Sequence, residues 1–289
     1  MFMKEYLDLA RYVMENGVRK PNRTGVDTLS CFAYFYRIDL GEGYPLLTTK
    51  KMYFNSMLHE LIWYLSGEEH IQNLRSKTKI WDAWADEEGH LETAYGRFWR
   101  RYPVPEKGLP GERWAEKWIT RDPRTGEKVF DQIAYIVDSL KEIKKNPEAR
   151  TLRRLIVSAW HPANAAESLL PPCHYTFAFN VTAGRLNCHL TQRSADIALG
   201  VPFNIACYSL LTILLANETG FTPGEFAHTM IDAHIYLDHL DGLKEQIQRD
   251  PLPRPRLEIA DKSLDQLTFE DVHLIGYRSH PLIRFPVAV

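Results

Sequence analysis

No surplus of basic residues, no long apolar run and little cysteine are found in this 289-residue sequence. Lys and Arg number 35 against 37 Asp and Glu, a formal charge of -2, whereas a nonspecific nucleic-acid binder needs a basic face to neutralise several phosphates. The four cysteines, Cys31, Cys173, Cys188 and Cys207, contain no CxxC pair and are too sparse for a disulfide scaffold. Free thiols in a reducing, cytoplasmic compartment are therefore expected. The N-terminal MFMKEYLDLARYVM carries acidic residues and helical periodicity where a signal peptide has an apolar run and a small-residue cleavage site. The most apolar stretch, Ile205 to Ala216, is too short to span a bilayer, lies between Asn204 and Asn217, and reads as a buried helix. The histidines show no HExxH or other ligand spacing, so no metal is expected. Walker and GxGxxG loops are missing too, which disfavours an NTPase or a nicotinamide enzyme.

What is present is enough apolar residue, 45% against 25% charged, for a sizeable core. Leu7, Leu9, Ala10 and Val13 share one helical side ending at Gly17. A second helix spans 56–66 and stops at Gly67, and Ile133, Ile136, Leu140 and Ile143 mark a third, closed by Pro147. Thr28 to Leu40 reads as a strand, as do Leu155 to Trp160, His174 to Thr182 and Arg185 to Gln192, the last two joined as a hairpin through Ala183-Gly184. A helix from Phe203 to Glu218 follows. Residues 102–128, dense in Pro, Gly and charge, read as a variable surface insertion. The pattern predicts one α+β domain over 1–289, a mixed or antiparallel sheet with helices packed on it.

Cys173 lies in LLPPCHYTF, where two prolines restrict the approach to the sulfur. A free cysteine is as a rule simply core packing. A nucleophilic one needs positive charge beside it, and Arg193, in TQRSAD at the end of the neighbouring hairpin strand, is spaced to supply that. Arginine also matches phosphate, and Arg23, Arg153, Arg154 and Arg193 are candidates against a solvated surface role. Arg153 and Arg154, adjacent on a strand, would point to opposite sides, so one site would use them across a subunit boundary or through a twist. Glu60, in MLHELIWYL, is surrounded by apolar residues; buried, its pKa would rise into the range of a proton shuttle, whereas an exposed stripe position would leave it ordinary. The tryptophans of IWDAWADEEG suit a flat heteroaromatic ligand as well as a core or interface, and His234 and Tyr236 would face one way to bind a hydroxyl or simply pack.

Taken together, RTGVDTLSCF, YPLLTTKKM, HELIWYLSG, IWDAWADEEG, AYGRFWR, RRLIVSAWHP, LPPCH, QRSADIALGVPFNIACYSLL, DAHIYLDH and the terminal PVAV resemble the thymidylate synthase family along nearly the whole chain. The resemblance implies methylation of dUMP to dTMP: Cys173 attacks C6 of the pyrimidine, and 5,10-methylenetetrahydrofolate supplies carbon and hydride. It implies that Arg193, Ser194 and Arg23 hold the phosphate, with Arg153 and Arg154 reaching in from the partner of a homodimer built through the sheet. Asn204 would read the uracil edge, His234 and Tyr236 the sugar hydroxyl, and His174 and Gln192 would also bind nucleotide. Glu60 and Tyr95 would order water and shuttle protons. The folate wall would comprise Asp196, which also counts among the catalytic residues, with Ile80, Trp81, Trp84, Leu170, Leu199, Gly200 and Phe203, and Lys50 would meet the glutamate tail. Pro286 to Val289, with Val287 and Ala288 against the folate, would close over the ligands and exclude water.

Several positions depart from the family pattern. Phe98 and Ala178 stand where glutamines are usual, Met230 and Ile231 precede Asp232, Asp238 follows Tyr236, and Ser279 interrupts GYxPHP. They point to a divergent member with altered dimer packing or an altered sugar or base environment. Two readings compete with methylation. Water capture of the same methylene intermediate would make a hydroxymethylated dUMP, dCMP or CMP, and an idle relative would bind nucleotide or RNA without needing the thiol.

Overall fold

Apolar residues at helical spacing become helices that cover one side of a twisted sheet. In the computed structural model, which describes residues 3–91, 95–108, 112–168 and 170–287, the helices are α1 (Lys4–Asn16), α2 (Phe54–Ser66), α3 (Gln72–Arg75), α4 (Tyr95–Arg100), α5 (Gln132–Lys145), α6 (Pro162–Glu167), α7 (Gly200–Thr219) and α8 (Leu240–Gln246). The predicted cores of α1, α2 and α5 agree with the structure. Gly67 ends α2 in the left-handed conformation, and the Asp131 side chain caps α5 by accepting from the Ala134 N–H. Helix α7 is longer than the apolar run that marks it. Its 20 residues would reach across a bilayer, yet it is buried among α2, α5 and the sheet as the central helix of the core.

The strands are β1 (Val18–Lys20), β2 (Thr28–Asp39), β3 (Tyr102–Pro103), β4 (Ile119–Arg121), β5 (Lys128–Phe130), β6 (Ile156–Ser158), β7 (His174–Thr182), β8 (Arg185–Gln192), β9 (Ala195–Asp196), β10 (Thr222–Tyr236), β11 (Arg256–Ile259) and β12 (Val272–Ile275). Among the described residues the main sheet runs β1-β2-β10-β8-β7-β6, with β9 beside the end of β10. It is mixed: β10 is antiparallel to β2 but parallel to β8 and β9. The β7–β8 hairpin has the predicted bounds, because Ala183 and Gly184 both take positive φ, 50° and 75°, as a two-residue turn of matching twist requires. The helix-covered face of the main sheet buries Phe177, Phe179, Leu186, Cys188, Leu190, Phe226 and Met230. The opposite face leaves Phe32, Phe35, Ile156 and Ile231 at 84, 48, 56 and 38% exposure.

Two expectations need correction. Arg153 and Arg154 are not strand residues: Arg150–Arg153 form a 3-10 turn that Arg154 ends, held by hydrogen bonds from Leu152 N to Ala149 O and Arg154 N to Thr151 O. The three-residue spacing of Leu152 and the buried Leu155 suits that turn, and β6 begins only at Ile156. The argument from opposite strand faces therefore does not apply to them. Within the segment 102–128, β3 and β4 join β5 in a small sheet of their own. It is fastened to α5 by Trp118, whose ring meets Tyr135 edge-on at 4.9 Å and whose Nε1 donates to Asp138 at 3.0 Å. Helix α2 starts at Phe54, two residues before the predicted 56.

Candidate active site

The thiol is positioned by the start of β7 and the end of β8. Arg193 folds back across this junction: its N–H donates to the Cys173 carbonyl at 2.8 Å, Nε donates to Pro172 O at 3.0 Å and Nη2 to Pro171 O at 2.6 Å. The two prolines thus serve the guanidinium as carbonyl acceptors, and Nη2 ends 3.6 Å from Cys173 Sγ. On the other side the Cys173 N–H donates to the Tyr95 hydroxyl at 2.7 Å. The expected contact of arginine and thiol is present. Its electrostatic effect is smaller than a simple pairing suggests. Burial raises the thiol pKa, Arg193, Tyr95 and Arg23 pull it back, Asp196 raises it again, and the net direction is up. The resting sulfur is therefore protonated, and Arg193 alone does not hold it as the thiolate.

Helices α2 and α4 bring a carboxyl and a set of rings to the same place. They approach closely because residue 96 is glycine: a Cβ there would lie 2.7 Å from the Tyr64 Cα. Next to it Tyr95 stacks on His174, centroids 3.9 Å apart at 12°, and the His174 Nδ1 meets the Tyr208 hydroxyl at 2.6 Å. Burial pushes His174 down to about 3 and Tyr95 well above the usual phenol range, so both are neutral at physiological pH. Glu60 is buried, as the first of its two sequence readings requires. Its Oε1 accepts from Trp81 Nε1 at 2.8 Å. Desolvation pushes Glu60 up to about 7, against the hydrogen bonds of Trp81 and Tyr64, which poises it between acid and carboxylate. Trp81 in turn contacts Trp84 and Tyr95 with centroids 5.8 Å away in each case, and the half-buried Ile80 precedes it.

Recognition groups come from α7 and β10. Asn204, in the first turns of α7, has a buried Oδ1 with no hydrogen-bond partner among the described residues. A buried acceptor left open costs stability unless a ligand N–H fills it. At the end of β10, His234 and Tyr236 face the same way with rings 5.4 Å apart, and Asp232 lies 3.3 Å from His234 Nδ1. His234, Lys20 and Ser30 all act on Asp232 and hold its carboxyl well below the usual range, although burial opposes them. Arg23, exposed in the 22–26 turn, lies close enough for its charge to act on both Cys173 and Tyr236. Gln192 is turned inward: its amide donates to Ser194 O at 3.0 Å and its Oε1 accepts from His228 Nε2 at 2.9 Å. Burial keeps His228 neutral, at about 3, so its Nδ1 accepts from the Tyr36 hydroxyl at 2.7 Å.

A third group surrounds Asp196 on β9. Its Oδ1 accepts from the N–H groups of Ala198 and Leu199 at 2.9 and 3.2 Å, shaping the turn into Gly200 and α7, where Phe203 packs half-buried. Lys50 is buried, donates to the Ala198 carbonyl, and lies 4.7 Å from the Phe285 ring centroid. Burial pulls it down to about 8 although Asp196 opposes the shift. Leu170 is half-buried and Val287 is 60% exposed. Ala288 and Val289 lie outside the described residues. Arg153 and Arg154 are exposed on their turn, with no ion pair from either among the described residues. The structure does not bring them to the thiol of their own chain.

The residues not singled out from sequence are those that orient others. Tyr64 holds Glu60, Tyr208 holds His174, Asp232 holds His234, and His239 meets Asp196. Tyr64 follows Glu60 by four positions, a helical spacing that does point to it; the other pairings are long-range or hidden in a strand. Of the departures, Phe98 is buried with its ring parallel to His161 at 6.0 Å, Met230 faces the core, and Ala178 and Ile231 lie on the open sheet face.

A thiol beside an arginine, next to a poised carboxyl and an open amide acceptor, suits an enzyme that adds cysteine to a flat, hydrogen-bonding ring and transfers a group onto it. The sequence model of the family described as thymidylate synthase matches residues 4–289. A thymidylate synthase of Haloferax volcanii is 49% identical, in an alignment covering 97% of this chain and 95% of that protein. The chain belongs to the thymidylate synthase family.

Proposed function

We propose that this protein, working as one domain over 1–289, methylates dUMP at C5 to give dTMP, with 5,10-methylenetetrahydrofolate as the donor of carbon and hydride. The observation that carries this reading is the half-buried Cys173 with its Sγ 3.6 Å from Arg193 in a chain of this family. Cys173 adds to C6, which makes C5 nucleophilic toward the methylene carbon; loss of the C5 proton and elimination of tetrahydrofolate leave an exocyclic methylene, to which that tetrahydrofolate passes hydride as the cysteine leaves C6, giving dTMP and dihydrofolate. A phosphate bound by Arg193, Arg23 and Ser194 holds the ring against the sulfur. The Asn204 amide pairs with uracil, its open Oδ1 taking N3–H and its NH2 reaching O4. His234 and Tyr236 hold the sugar hydroxyl, and His174 and Gln192 support the nucleotide from beneath. Glu60, near the pKa of a shuttle, moves protons through water ordered with Tyr95. Trp81, Trp84, Ile80, Leu170, Leu199, Gly200, Phe203 and Asp196 form the folate wall, Lys50 meets the glutamate tail, and the C-terminal segment with Val287 and Ala288 closes over both ligands.

The working form is a cytoplasmic homodimer. The open sheet face, with Phe32, Phe35, Ile156 and Ile231 exposed, is the surface a second copy would cover, and a two-fold axis there makes each patch its own complement. Arg153 and Arg154, without ion pairs among the described residues, then serve the partner's phosphate. Incubation with methylenetetrahydrofolate and dUMP, dCMP or CMP, followed by dihydrofolate absorbance and nucleotide mass, tests the reaction. A methyl-sized gain on dUMP with dihydrofolate is expected. A hydroxymethyl-sized gain without dihydrofolate would replace methylation by water capture, and no turnover would favour an idle binder.

A further inference from the structure

His239 is a fully buried imidazole between Asp196 and the C-terminal segment. Its Nε2–H donates to the Pro286 carbonyl at 2.7 Å, its ring meets Phe285 edge-on at 5.2 Å, and its Nδ1 lies 3.7 Å from Asp196 Oδ1. The charged and titratable groups around it are Asp196 on β9, Asp238 at 3.8 Å on its own turn, and the Tyr236 ring at 5.4 Å on β10. Nδ1 makes no hydrogen bond among the described residues, so the ring faces the carboxylate with one nitrogen and the segment with the other. On the opposite side Lys50 lies against the Phe285 ring and is attracted by the same Asp196.

We propose that His239 is the latch of the C-terminal segment, a positioning residue that joins the tail to the cosubstrate-facing Asp196 and holds it more tightly when the imidazole is protonated. The functional part of this inference rests on the proposed reaction, in which the segment closes over the ligands; the latch itself does not. An imidazolium flanked by Asp196 donates a charge-assisted hydrogen bond to Pro286, whereas the neutral ring keeps only an ordinary one. Burial by itself would lower the imidazole pKa, but the Asp196 carboxylate, the Pro286 carbonyl and Asp238 outweigh it, and the net direction is up. The latch thus weakens as pH rises through that raised value.

The test is release of the terminal residues by a carboxypeptidase from the full-length protein without ligands, compared with His239→Gln and His239→Leu. Glutamine places a neutral donor near the position of Nε2, and leucine removes the donor. Release from His239→Leu is expected roughly tenfold faster than from the parent, with the glutamine variant between them. The ratio of the glutamine to the parent rate, which cancels the protease's own pH profile, is expected to fall toward one as pH rises from 6 to 9. Unfolding midpoints serve as the control for folding. A leucine variant that unfolds leaves the glutamine ratio to decide. Equal rates for parent and variants, or a ratio that is flat in pH, overturn the latch. Turnover adds a separate reading: the KM for the folate should rise in His239→Gln while nucleotide affinity stays. An inactive parent would count against the proposed reaction and leave the digestion result standing.

Discussion

Replacing Glu60 by glutamine should make the protein more stable at alkaline pH while removing the proton shuttle proposed for this residue. Glu60 carries the ordinary carboxyl value of 4.5 in the unfolded chain and about 7 in the fold, because burial raises it more than Trp81 and Tyr64 lower it. The folded state therefore binds this proton more tightly than the unfolded one. Stability from the group is fully present below 4.5 and is lost as pH rises through about 7. The gap corresponds to roughly 3 kcal/mol, the penalty of keeping a carboxylate in this site above both values. Glutamine has the same shape, accepts from Trp81 through its Oε1 and never ionises, so Glu60→Gln escapes that penalty. Urea unfolding at fixed protein concentration, from pH 5 to 8.5, should show the two proteins nearly alike at the acid end and the variant ahead by about 2 to 3 kcal/mol at the alkaline end. A stability difference that does not change with pH would refute the argument, because it would mean that Glu60 titrates alike in both states. Loss of turnover in the same variant would show the opposed demands of the fold and the reaction on one carboxyl.

Trp81→Phe removes a donor from Glu60 and should move the basic limb attributable to that carboxyl upward by about one pH unit in kcat/KM, since the anion loses a hydrogen bond. Arg193→Lys cannot span Pro171 O, Pro172 O and the thiol at once. Alkylation of Cys173 by iodoacetamide at pH 7 should slow by roughly tenfold, measured by mass spectrometry with the other cysteines as internal reference. Asn204→Asp should turn preference from dUMP toward dCMP, because the exchanged edge then matches cytosine; competition of the two nucleotides for the site reads the shift. Cys173→Ser should retain nucleotide binding but fail to form a covalent complex with a 5-fluoropyrimidine nucleotide, checked by intact mass.

Local pattern made α1, α2, α5 and the β7–β8 hairpin legible, because their periods and turn residues are written within a dozen positions of each element. The joining of β10 to β2 was not, since residues such as Tyr236 and Thr28 pair across some two hundred positions and no local period records a partner. The same distinction runs through the site. Arg193 was traceable to Cys173 because a hairpin connects their strands, and Glu60 was visible as an acid in an apolar stretch. The protonated state of the thiol depends instead on the sum of burial and of Arg23, Arg193, Tyr95 and Asp196, which lie in four different elements or turns. Arg153 and Arg154 read as strand because they adjoin the strand-like Leu155 to Trp160, whereas the turn that holds them is closed by backbone hydrogen bonds that leave no residue pattern.

The long pairing of β2 with β10 also orders events on the ribosome. Strand β2 is translated some two hundred residues before the partner that fills its inner edge, Thr222–Tyr236. Until then β2 has β1 on one edge and an open ladder on the other, with Phe32 and Phe35 displayed on its outer face. Such a segment is a template for pairing with another nascent chain. The interval between the synthesis of β2 and of β10 is the one in which a chaperone covering that edge would guard the chain.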